Sequence, residues 1–537
     1  MLRRIAFSLL LATIAAPVLD LAADQNAQPV FIVSFAASAR SEPVTGRMYV
    51  AISRVNDRPP IRQAGPTGTP LFAVPVDQAA PGTEVRFSPQ TPGYPVATLG
   101  ALPAGDYWVQ PFVNVYTRFP RADGHVVWLH MDQWEGQNWR TSPGNLFGDP
   151  VKVTITPGGP PIRLVADKVI PPIPFPADTE HVKRFKIQSE RLTTFWGQPI
   201  HLGATVLLPR DYDKNPDVKY PIVFQHGHFS TAAPAGFDRD EAFKKYWLAD
   251  GTPQVIYVTV QHPSPYYDDS YAVDSENNGP YGEAILQELI PEIETRFRVI
   301  REPWARILTG GSTGGWIALA LQVYYPDFYG GTFSLCPDSV DLRYHQIVNI
   351  YDDANAYWVE RDWTRVERPN QRRPDGNIQS MMKDENWYED IVGDKSRSGG
   401  QWDIWEATYS PVGKDGYPQR LWDKQTGVIN KTVAAAWKKY DLRHVLETNW
   451  TTLGPKVAHK INVYIGDMDS YYLNMGVRML DEFFRERAKD PPFTGEVVFE
   501  PMAPHCWGPR GEDLHRRMVA HMVKHAPAGA DTTRWRQ

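Results

Sequence analysis

The sequence predicts an α/β fold on a mainly parallel sheet, preceded by a β-rich module and carrying one long insertion. Three observations predict it. From residue 182 onward, strand-like and helix-like segments alternate, the pattern of successive βα units. The stretch Gly310-Gly311-Ser312-Thr313-Gly314 stands between a short apolar strand and a helix of small residues. Past two later strands of the same half, a carboxylate and then a histidine follow in loops.

The first element is not part of the fold. Arg3 and Arg4 precede an apolar run over residues 5–16, shorter than the ~20 residues that cross a bilayer. Ala15, Ala16, Ala22 and Ala23 offer small residues for cleavage. Residues 1–23 therefore read as a secretory signal peptide, with a membrane anchor as the other reading. No later stretch reaches the ~20 apolar residues of a membrane span, so no integral membrane segment is expected after cleavage. The expected location is periplasmic or secreted.

The 537 residues suffice for two or three domains, and 42% apolar content can build large cores. A net charge of −6 argues against nucleic acid as a partner. Residues 24–172 hold short strand-like runs at 28–35, 46–53, 105–116 and 151–156, separated by Pro- and Gly-rich turns. They predict a β-sandwich with no catalytic constellation, an accessory or substrate-presenting domain. Pro171-Pro172-Ile173-Pro174-Phe175-Pro176 reads as a stiff linker into a catalytic domain over 173–530.

In that domain, residues 182–189 and 203–208 read as a strand pair, and 220–225 and 254–260 as buried strands. Residues 239–249 and 282–297 read as helices, the second with Ile285, Leu286, Leu289, Ile290 and Ile293 on one face. Strands at 305–309 and 331–335 bracket the helix at 315–325. Residues about 342–445 break the rhythm with seven tryptophans, among them Trp402, Trp405 and Trp422. This insertion fits a cap over an active site, or a peripheral excursion with its own small core.

The pentapeptide has the G-x-S-x-G form of a nucleophile elbow, in the strand–turn–helix context that form requires. Glycines relieve the crowding of a sharp turn, and the serine hydroxyl projects from the sheet edge. A base must take the proton of Ser312, and an acid must orient that base. The strand at 460–465 runs into Gly466-Asp467-Met468-Asp469, and a carboxylate just past a strand end lies at the catalytic edge. Asp469 is favoured as the acid and Asp467 is the alternative; either could instead cap the following helix. His505, in the loop after the strand at 496–500, is the expected base. His515, His521 and His525 lie on a C-terminal helix and read as surface residues. For the oxyanion hole, the N–H of Thr313 supplies one donor. The second is expected from the loop Gln225-His226-Gly227-His228-Phe229, at His228. His226 and His228 could suggest a metal pair, but no third ligand stands at a telling spacing. No metal and no cofactor are expected.

These residues resemble the esterase D-like esterases of the α/β-hydrolase superfamily, relatives of feruloyl esterases, enterochelin esterases and S-formylglutathione hydrolases. The likeness rests on residues 220–227, on Asn278-Gly279-Pro280-Tyr281-Gly282 and on Gly310 to Gly315. It rests further on Pro326-Asp327-Phe328-Tyr329, on Gly466 to Asp469 and on His505. It implies an α/β-hydrolase fold and Ser-His-Asp chemistry on an ester. It departs at His228 and Phe229, where the family has small residues. Some fungal relatives join a cysteine beside the nucleophile to one beside the histidine. Here Gly311 precedes Ser312, but Cys506 follows His505 and Cys336 ends the strand after the nucleophile helix. A Cys336–Cys506 disulfide is the expectation, with two buried free thiols as the alternative.

The expected function is an exported serine carboxylesterase, with a feruloyl or acetyl ester of a polysaccharide as the substrate guess. An acyltransferase of the same fold and a non-catalytic binding protein are the alternatives.

Overall fold

The computed structural model describes residues 29–536, so the expected signal peptide lies outside the described residues. The alternation after residue 182 forms one eight-stranded sheet. Its strands are β1 (Val182–Ser189), β2 (Ile200–Leu207), β3 (Ile222–His226), β4 (Ile256–Gln261), β5 (Arg306–Gly311), β6 (Gly331–Leu335), β7 (Ile461–Gly466) and β8 (Glu496–Glu500). In space they run β1-β2-β4-β3-β5-β6-β7-β8. β2 is antiparallel to both neighbours, and every pair from β4 to β8 is parallel. The sheet is therefore mixed and mostly parallel. Every residue of β4 and β7 is buried, which is why these strands read as continuous apolar runs.

Helix α1 (Thr313–Tyr324) is buried from Thr313 to Val323. Two glycines let it sink so far. A Cβ on Gly314 would lie 2.1 Å from the His226 carbonyl oxygen, and one on Gly315 2.3 Å from that of Leu335. The helix expected over 282–297 spans Tyr281–Arg296 in three joined segments, with a wide turn at Ile285–Leu289 just before Pro291, which has no N–H to donate.

Helices α2 (Asn474–Glu486) and α3 (Gly511–His525) complete the C-terminal part. Here one expectation fails. His515 is 1% exposed, packed against Tyr246 and Trp247, with Nδ1 2.8 Å from the Tyr246 hydroxyl. His521 is part-buried, its Nε2 2.9 Å from the Gly330 carbonyl oxygen. α3 lays these histidines, with Met518 and Met522, on the face it turns to the core. No helix among the described residues is long and apolar enough to cross a membrane.

The N-terminal part is β-rich. Phe31–Phe35 pairs parallel with Ile162–Ala166 and antiparallel with Val85–Phe87. A larger sheet contains Val44–Ser53, Leu71–Ala79 and Gly105–Val115. Phe31, Val33, Met48, Val50, Val109 and Leu164 share one core between the two sheets. The other face of the larger sheet is buried as well. Tyr49, Ala51 and Phe112 pack with Tyr388, Ile391 and Val392 of the insertion. The Tyr49 hydroxyl donates to the Val392 carbonyl (2.5 Å), and Arg47 Nε to that of Ile391 (2.9 Å).

The insertion between β6 and β7 shares one continuous core with the sheet and does not fold around a small core of its own. Four of its tryptophans, Trp402, Trp405, Trp422 and Trp437, ring His345 with centroids 4.6–6.2 Å away. Burial holds the His345 imidazole near a pKa of about 3, so it is a neutral packing element. Trp363, by contrast, is 95% exposed. The helix Gln401–Tyr409 reaches Asp338, past the end of β6, through Gln401, and Arg372 Nε donates to the Asp469 carbonyl (3.0 Å).

Candidate active site

β5 ends at Gly311 and α1 begins at Thr313, leaving Ser312 alone in the turn with φ 59° and ψ −123°. A side chain in that region is strained, and the surroundings must hold it there. The Ser312 N–H donates to the Leu335 carbonyl at the end of β6 (3.0 Å), and its carbonyl accepts from Trp316 (3.1 Å). Gly310 has no room for a side chain, since a Cβ would meet the carbonyl oxygens of Gly314 and His226 at 2.4 and 2.6 Å.

The structure brings Ser312, His505 and Asp469 together. His505 Nε2 is 3.0 Å from Ser312 Oγ, and His505 Nδ1 is 2.6 Å from Asp469 Oδ2. Asp469 is fully buried, and its Oδ1 accepts the N–H groups of Tyr471 (2.9 Å) and Leu473 (3.2 Å). One carboxylate oxygen thus opens the turn toward α2 while the other faces the imidazole. An ionised acceptor at Nδ1 places the proton there and leaves Nε2 free to accept from the serine. Tyr471 packs edge-on against the ring, with centroids 4.9 Å apart. Asp467 faces elsewhere: its Oδ1 accepts from the Met502 N–H (2.9 Å) and so pins the loop that carries His505.

Cys336 and Cys506 are joined in a disulfide. It fastens the end of β6, which holds the Ser312 N–H, to the residue after His505. Two of the three side chains are therefore referenced to one strand end.

The Thr313 N–H is the first of α1 and has no partner within the helix, as required of an oxyanion donor. Gly227 lies against Gly314, 2.9 Å from where its Cβ would be, so the loop that includes His228 sits over the start of α1. The two histidines of this loop do not converge. His226 is buried and turns to His262 (3.3 Å), and burial lowers both imidazoles, His262 to about 4. His228 turns outward, with Nδ1 3.1 Å from Asp268 Oδ1 and 3.8 Å from Asp269 Oδ2. Burial works against its charge, but the Asp268 hydrogen bond and the two aspartates outweigh it and hold the pKa at about 9.

One further residue reaches the serine, and three more stand behind it. Asp338 is buried, with Oδ1 3.4 Å from Ser312 Oγ and Oδ2 accepting from the hydroxyls of Tyr271 (2.5 Å) and Thr313 (3.1 Å). Burial raises the Asp338 pKa against these donors. Gln401 and Trp405 of the insertion both donate to the Tyr271 hydroxyl. The position of Asp338, three residues past β6, is the same signal that pointed to Asp469. Tyr271 and Gln401 carry no sequence signal. Beside this network lies a cleft of about 490 Å³. Asn138, Trp139 and Arg140 of the β-rich part line one wall, and His228, Tyr267 and Tyr388 line others.

A strained serine on a strand–helix turn, with an imidazole and a buried carboxylate in line behind it, is the arrangement of a serine hydrolase. The chain belongs to the Esterase family. That family's model, described as "Putative esterase", matches residues 199–482, from β2 to within α2. The protein is a carboxylic ester hydrolase. Among solved structures it is similar to a ferulic acid esterase (15% identity, 63% of this chain and 94% of that one, TM-score 0.37). It is also similar to an S-formylglutathione hydrolase from Agrobacterium tumefaciens (13%, 64% and 92%, TM-score 0.35). A third is FphF, a fluorophosphonate-binding serine hydrolase of Staphylococcus aureus (14%, 64% and 98%, TM-score 0.34). No curated protein matches the chain.

Proposed function

We propose that the esterase works through an acyl-enzyme on Ser312, with His505 as base and Asp469 as its orienting acid. The continuous contact Ser312–His505–Asp469 carries this reading. Ser312 Oγ attacks the ester carbonyl as its proton passes to His505 Nε2. The backbone N–H groups of Thr313 and His228 receive the negative oxygen. The same proton then leaves with the alcohol, and water activated by His505 releases the acid.

The substrate we propose is an acyl ester on a polysaccharide, a feruloyl or acetyl group. The cleft supports this by its mix of flat aromatic and planar polar side chains, Trp139 and Tyr388 beside Asn138 and Arg140, which suits sugar rings. In this reading the β-rich part is a β-sandwich that presents the polymer. The insertion caps the site through Gln401, and the protein acts after export, in the periplasm or outside the cell.

The test is a panel of p-nitrophenyl acyl esters, methyl ferulate and acetylated xylan. Ser312→Ala is expected to fold and to lose activity on every member, roughly a million-fold in kcat where measurable. A Ser312→Ala enzyme with turnover near wild type overturns the mechanism. Preference for the small esters over every sugar-linked one overturns the substrate class alone.

A further inference from the structure

We propose that His228, Asp268 and Asp269 form a binding site for one divalent transition-metal ion, best matched by zinc, at the rim of the cleft beside the serine network. The ligand atoms come from two loops that meet only in the fold. His228 sits in the loop after β3, and Asp268 and Asp269 in the loop after β4. His228 Nδ1 is 3.1 Å from Asp268 Oδ1 and 3.8 Å from Asp269 Oδ2, and one ligand atom from each residue lies within 4.8 Å of the others. A tetrahedral ion with bonds of about 2.0–2.2 Å holds its ligand atoms roughly 3.3–3.6 Å apart. The two distances from His228 Nδ1 fall within a few tenths of an ångström of that range.

A second observation points to a missing ligand. Asp269 is 1% exposed, and its Oδ1 accepts from the Tyr271 N–H (2.9 Å). Its Oδ2 is buried, has no hydrogen-bond donor and faces the His228 imidazole. A buried carboxylate oxygen without a donor is costly, more so beside the like charge of Asp268. A cation between them answers both.

The donor set selects the ion. One imidazole nitrogen and two carboxylate oxygens suit zinc, whereas calcium takes 6–8 oxygen ligands and magnesium keeps an octahedron of oxygens. The side chains of His228 and Asp268 are 49% and 21% exposed, which leaves the remaining position open to water from the cleft. The ion would fix the His228 loop, and with it the backbone proposed as the second oxyanion donor, against the loop after β4.

The test uses the full-length mature protein without a histidine tag, stripped with a chelator and dialysed against micromolar Zn²⁺. Metal content, the visible spectrum of the Co²⁺ form and the thermal midpoint are read. Wild type is expected to retain about one equivalent of zinc and to melt higher with it. Asp269→Asn and, on the more exposed carboxylate, Asp268→Asn are each expected to weaken binding by about 100-fold and to lose the Co²⁺ band. His525→Ala, in the separate cluster of His459, His521 and His525, is expected to leave the equivalent in place. No stoichiometric zinc in wild type means that a protonated His228 fills the role, and overturns the proposal. Zinc retained in both aspartate variants, or lost in His525→Ala, overturns it as well. None of these results bears on the Ser312→Ala test.

Discussion

Gly314 sets the tightest residue-level constraint beside Ser312. The atoms a side chain would strike, the His226 carbonyl oxygen at 2.1 Å and Gly227 Cα at 2.9 Å, are backbone and cannot swing away. Gly314→Ala must push the His226–His228 loop off α1. It is expected to cost about 1–3 kcal/mol of stability and to lower kcat more than it raises KM. Gly311 is the internal comparison. Its nearest neighbours would be Cys506 Sγ at 3.4 Å and Cys336 Sγ at 3.9 Å, ordinary contact distances. Gly311→Ala is expected to melt near wild type. Paired thermal melts read the difference, and equal midpoints for the two variants would refute the packing account. The motif names Gly314 and leaves Gly311 at a free position, but only the fold shows that Gly314 meets the backbone at the end of another strand. The same limit hid Asp338. Its place past a strand end was readable, but its contact with Ser312 depends on where β6 stops.

At the scale of elements, α3 shows what periodicity reveals and what it hides. A helix was legible at the C-terminus, yet histidine is polar enough to pass for solvent-facing, and only packing against Tyr246 and Trp247 decides otherwise. That burial has a pH signature. Burial first, and Arg516 second, lower the His515 pKa from 6.5 to about 3. The folded protein keeps this imidazole neutral while the unfolded chain protonates it below about pH 6.5. The contribution to stability is therefore complete above about pH 6.5 and is lost progressively as pH falls toward 3. At about pH 5.5 the loss is about 1.4 kcal/mol for this one group. His515→Gln removes the titration. Its stability deficit relative to wild type is expected to shrink by about 1.4 kcal/mol between about pH 7.5 and about pH 5.5. Urea unfolding at both values measures this, and a deficit that does not change with pH would show that His515 already titrates normally in the fold.

For the whole molecule, the parallel sheet and the chain order of Ser312, Asp469 and His505, which the fold brings together, were readable because each depends on local pattern. The contact between the β-rich part and the insertion was not, because it joins residues some 340 positions apart. Along Val44–Ser53, moreover, nearly every residue is buried, so the strand shows no polar face to mark an outside. Tyr49 is the centre of that contact. It stacks on Trp139 with centroids 4.8 Å apart, and Trp139 lines the cleft beside Tyr388. Tyr49→Ala removes a fully buried ring, at a cost of about 3–5 kcal/mol. It also leaves Trp139 without its backing. Tyr49→Phe keeps the stack and removes only the donor to the Val392 carbonyl, at about 1–3 kcal/mol. The two variants separate stability from substrate handling. Both are expected to melt below wild type, but only Tyr49→Ala is expected to lose kcat/KM on acetylated xylan, through KM. Its kcat/KM on p-nitrophenyl acetate should hold, because in the proposed mechanism that ester needs Ser312 and the His228 loop but not the Trp139 wall. A parallel loss on both substrates would place the effect of the interface on the sheet edge itself and remove the β-rich part from substrate binding.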